Sequence, residues 1–199
     1  QERITLPWST TIPVVNIYKF DDSLRLINQT NTYQPSAIPG YPRFLESTSA
    51  KNIIHNEHSI YLMTEHRAAS ATTFTDIARS LAIYRFDHDL NPISLNHQLA
   101  KPGNWTETSF GSAENIIFDK SGKYIYATGS NCEPRPLNFN DQDRTCAYMV
   151  MKFDTALNLI WRKDIEIPKT YLKAEAICNS PDGGVLVAGM RIDSTPNPN

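Results

Sequence analysis

The sequence predicts an all-β fold assembled from repeated four-stranded sheets, on three observations. One motif occurs three times, as Asn16-Ile17-Tyr18-Lys19-Phe20-Asp21, Ala82-Ile83-Tyr84-Arg85-Phe86-Asp87 and Met149-Val150-Met151-Lys152-Phe153-Asp154. Each copy continues to a leucine (Leu24, Leu90, Leu157), and the phenylalanines stand 66 and 67 residues apart. A second motif follows each copy of the first: Asn52-Ile53-Ile54-His55, Asn115-Ile116-Ile117-Phe118 and Ala176-Ile177-Cys178-Asn179, each leading through a polar turn into another apolar run. Finally, Ile, Val, Tyr and Phe dominate both motifs, which favours strands over helices. Two motifs in the same order, three times each, is the signature of a repeat architecture.

Each motif reads as a hairpin. In the first, Asp21, Asp87 and Asp154 stand where a carboxylate can accept turn backbone N–H groups. In the second, Asp119-Lys120-Ser121-Gly122 and Ser180-Pro181-Asp182-Gly183-Gly184 supply glycine where a turn needs positive φ. With strands named a to d from the centre outward, the second motif supplies a and b and the first c and d. The order along the chain is then a c–d pair over 14–29, a full module over 51–97, a second over 113–164, and an a–b pair over 174–191. Four strands in about 60 residues, repeated, is β-propeller spacing, and the chain reads as a single partial propeller. Three blade equivalents are too few for a ring. The rest is expected from further blades of a longer chain or from another chain. Gln1, in place of an initiator Met, suggests a processed chain, and the polar end Asp193–Asn199 resembles the start of a b–c loop.

Composition narrows the class. Among 199 residues, 19 are Lys or Arg and 21 Asp or Glu, so no basic excess is present to offset phosphate charge, and nucleic acid is not expected as a partner. Twenty aromatic residues argue against disorder. No stretch of 18 apolar residues suggests a membrane span. Cys132 and Cys146 bracket a polar loop rich in Pro, Asn and Asp, which suits a disulfide and an exported protein at the cell surface, outside the cell or in a periplasm. Cys178 reads as a small hydrophobe in an apolar run.

The segments Lys152-Phe153-Asp154-Thr155-Ala156-Leu157-Asn158-Leu159-Ile160-Trp161 and Ser180-Pro181-Asp182-Gly183-Gly184-Val185-Leu186-Val187-Ala188-Gly189 resemble a β-propeller repeat of secreted bacterial proteins. That repeat has the form K-F-D-x-x-x-N-x-x-W followed by D-G-G-x-x-x-A-G, and it occurs in type IX secretion cargo and other surface proteins. The third repeat matches best. Leu24, Leu90 and Leu157 stand where the family usually has a turn glycine. The resemblance implies the fold and an exported location, and it implies no catalytic residues.

In a propeller the a–b and c–d turns share one face, and the longer b–c and d–a connections share the other. Long loops on a rigid scaffold are where binding usually resides. The longer connections, read as 30–50, 67–80, 98–112, 130–145 and 166–173, carry Tyr41, Arg43, Arg67, Trp105, Arg135 and Tyr171, residue types suited to protein or glycan contact. No histidine pair has metal-ligand spacing, and no cofactor motif occurs. Asp141-Gln142-Asp143 is a weak calcium motif at most. The functional expectation is an exported, non-enzymatic module that binds a protein or glycan. A blade set within a glycan-active enzyme and a structural subunit of a surface assembly are the alternatives.

Overall fold

A computed structural model describes residues 14–32, 44–69, 78–99, 112–132, 146–168 and 170–193. The described residues contain twelve strands and no helix. They are β1 (Asn16–Phe20), β2 (Leu26–Asn31), β3 (Phe44–His55), β4 (Ile60–Ala69), β5 (Ala78–Phe86), β6 (Pro92–Leu99), β7 (Ser112–Phe118), β8 (Tyr124–Cys132), β9 (Cys146–Asp154), β10 (Leu159–Ile165), β11 (Thr170–Asn179) and β12 (Val185–Asp193). No helix among the described residues is long and apolar enough to cross a membrane.

The strands pair in chain order. β1 and β2 form a two-stranded sheet, and β3-β4-β5-β6 form a four-stranded antiparallel meander. β7-β8-β9-β10 repeat that meander, and β11-β12 join its sheet through one parallel bridge between Tyr171 and Cys146. No sheet closes into a barrel. Each long connection is shorter than its sequence-derived bounds, because the strands beside it run on. β3 starts at Phe44 rather than near residue 51, β4 continues to Ala69, and β11 starts at Thr170.

Strand alternation puts every second side chain on one face, and the sheets stack through those faces. One apolar cluster joins Tyr61, Met63, Leu81 and Ile83 of the β3–β6 sheet to Ile116, Met151, Phe153 and Leu157 of the β7–β10 sheet. A second joins Ile17, with Val15 beside it, to Tyr84, Phe86 and Leu90. β7 lies against β3, β4 and β5, and β11 against β7 and β8. β7 and β11 therefore each pack across the strands that precede them in the stack.

The hairpin turns repeat atom by atom. The Asp87 carboxylate accepts the backbone N–H groups of Asp89 and Asn91 and the Asn91 side-chain amide, at 2.8–2.9 Å. Asp154 does the same for Ala156 and Asn158. Asp21 accepts from the Ser23 and Arg25 backbones. This is the structural role expected of the recurrent aspartates. Gly122 and Gly183 take φ of 69° and 91°. Leu24, Leu90 and Leu157 also take positive φ, at 60°, 64° and 72°. Left-handed backbone costs an L residue roughly 1–2 kcal/mol. At Leu90 and Leu157, burial of the side chain in the clusters offsets that cost.

These turns make stability depend on pH. Hydrogen bonds from the side chains of Asn91 and Asn158 hold the carboxyls of Asp87 and Asp154 below the ordinary 3.8. Asp182 is lowered first by Ser180. At Asp119 burial opposes the shift, but bonds from Ser121 and the Tyr124 backbone outweigh it. A folded-state value below the unfolded one gives stability that is complete above the unfolded value and is lost as pH falls through the folded one. Stability is therefore expected to decline below about pH 4. Urea midpoints taken down the acid limb should fall less steeply in Asp154→Asn than in the unaltered protein.

Candidate functional site

The three first strands share an irregularity. The register of β3 with β4 shifts between Ala50 and Asn52, that of β7 with β8 between Ala113 and Asn115, and that of β11 with β12 between Ala174 and Ala176. Each shift is a β-bulge, which leaves one residue without a cross-strand partner and re-aims its side chain. The three extra residues are all charged: Lys51, Glu114 and Glu175.

The bulges feed a row of ion pairs. Lys51 Nζ lies 3.2 Å from Glu65 on β4. Lys173 Nζ lies 3.4 Å from Glu175 and 3.9 Å from Glu114, and so ties β11 to β7. Glu65 is buried, while Glu175 is half exposed. Asn52 donates across the sheet interface to the side chain of Asn115 and the carbonyl of Ile116, so the bulges of neighbouring sheets are also bonded to each other.

On the opposite face of β4, the buried His66 ring is surrounded by hydroxyls. Thr48 lies 3.1 Å from Nδ1, and Thr64 and Tyr84 lie 2.9 and 3.4 Å from Nε2. On the β7–β10 sheet, Arg162 makes a forked pair with Asp164, whose Oδ2 also accepts from Asn131. Of these groups, His66, Glu114, Asn131, Asp164 and Lys173 stand toward strand ends that lead into the longer connections, whereas Lys51 and Glu175 stand nearer mid-strand. Each is engaged by neighbours, so these polar groups are held in fixed positions on the two faces of their sheets. Among the described residues, no group of three or more His, Cys, Asp or Glu side chains is arranged to hold a metal ion.

The residues singled out in the sequence fall into three groups. Tyr41, Arg43, Trp105 and Arg135 lie outside the described residues, as does the Asp141-Gln142-Asp143 segment. Arg67 and Tyr171, expected in loops, instead stand in strands. Arg67 is paired between Ser47 and Arg79, and half-buried Tyr171 opposes Ile192. Continued ladder pairing carries β4 and β11 beyond the point where their apolar alternation fades. The structure does bring Cys132 and Cys146 together, directly opposite each other in the β8–β9 register, with Tyr171 beside Cys146. Cys178 is an exposed free thiol rather than a buried hydrophobe, because it falls on the outward phase of β11.

Sequence reasoning missed Lys51, Glu65, His66, Glu114, Lys173 and Glu175. The available signal was the charged residue just before each Asn-Ile-Ile-type triplet.

The fold and site define an all-β protein of stacked, mainly antiparallel sheets with ion-paired charges at the bulges of β3, β7 and β11. No protein-family model matches the chain, and no curated protein is similar to it.

Proposed function

We propose that this chain is part of a β-propeller. In this reading it serves as an exported, non-enzymatic module that binds a protein or glycan at the end of the sheets where the long connections emerge. The observation that carries this reading is the combination of two stacked four-stranded meanders with β7 and β11 each packed across the strands before them. Within each four-stranded meander, antiparallel pairing puts the ends of the second and fourth strands on the same side, and His66, Asn131 and Asp164 stand near those ends. A preformed concave site with a few fixed polar groups is the usual form of a binding site on a rigid scaffold.

The test is a screen of immobilised glycans and surface proteins with the intact chain, followed by Arg67→Ala and Tyr171→Ala on any hit. Affinity should drop at least tenfold. Unchanged affinity in both variants would remove this end of the sheets as the binding face. Turnover of a glycan during the screen would remove the non-enzymatic reading.

Export is supported by the Cys132–Cys146 register. In this reading the two thiols are joined and close a loop of 15 residues. Such a cross-link contributes about 3 kcal/mol by restricting the unfolded chain. Cys146→Ser should lower the urea midpoint accordingly, and so should reduction of the unaltered protein. Thiol labelling of the unaltered protein should modify Cys178 alone.

A further inference from the structure

We draw no further inference here: the strongest candidate, the apolar face of the β1–β2 hairpin that carries the exposed Tyr18, Phe20 and Leu24, stands open where the matching positions at Phe86 and Phe153 are covered by a neighbouring sheet, and nothing in the structure shows what covers it.

Discussion

Phe153→Ala is expected to lower the unfolding free energy by about 3–5 kcal/mol, the cost of truncating a fully buried aromatic side chain. Phe153 is inaccessible to solvent in the cluster where the β3–β6 and β7–β10 sheets meet. Truncation removes its contacts with both sheets and leaves a cavity that strand backbones on either side are too constrained to fill. Phe86→Ala should cost a similar amount at the β1–β2 interface, where Phe86 stacks on Tyr84 with centroids 6.2 Å apart. Phe20→Ala occupies the same place in the motif and should cost less than about 1 kcal/mol, since exposed side chains have little burial to lose. Urea unfolding of the three variants measures the contrast. Equal losses at all three positions would mean that the sheets do not stack as described.

Gly189→Ala is expected to destabilise the β11–β12 pair by about 3 kcal/mol, because overpacking against backbone has no soft way to relax. A Cβ at Gly189 would overlap the carbonyl of Lys173 and approach the Ala174 Cα to 2.8 Å. Those atoms belong to the bulge in β11, where the strand presses onto its partner. Gly129 stands in the same relation to the bulge between Ala113 and Asn115. The recurrence of glycine 60 residues apart thus has a steric cause on β12. Amide exchange should show β12 losing protection while β4–β5 keeps its own. By contrast, Gly122→Ala meets no neighbouring atom within 4 Å. Its cost should be confined to the positive φ of the turn, roughly 1 kcal/mol.

The difference between these two glycines marks what was legible in the chain. Gly122 sits in an Asp-Lys-Ser-Gly turn, and local chemistry alone announces its conformation. Gly189 sits inside an apolar alternation, and its constraint comes from a strand that bulges toward it. The leucines of the c–d turns divide in the same way. The Asp before each one is readable as a turn cap, but left-handed leucine contradicts local preference. It is tolerated at Leu90 and Leu157 because burial in a neighbouring sheet offsets the strain.

The candidate site was the least legible part. Lys51, Glu114 and Glu175 are unremarkable charges until three bulges turn each of them to an ion-pair partner, and bulges leave little trace in an alternating pattern. His66 lies far in sequence from Thr48 and Tyr84, and cross-strand register alone makes them neighbours.

The sequence by itself determined the strands, their order, the capped turns and the threefold repeat, because these follow from alternation and short-range hydrogen bonding. The tertiary structure decided which copies of a repeated residue are buried. Phe20, Phe86 and Phe153 are equivalent as letters, and only the presence of a sheet across each face separates them. That is a long-range property of stacking, and local preferences carry no record of it.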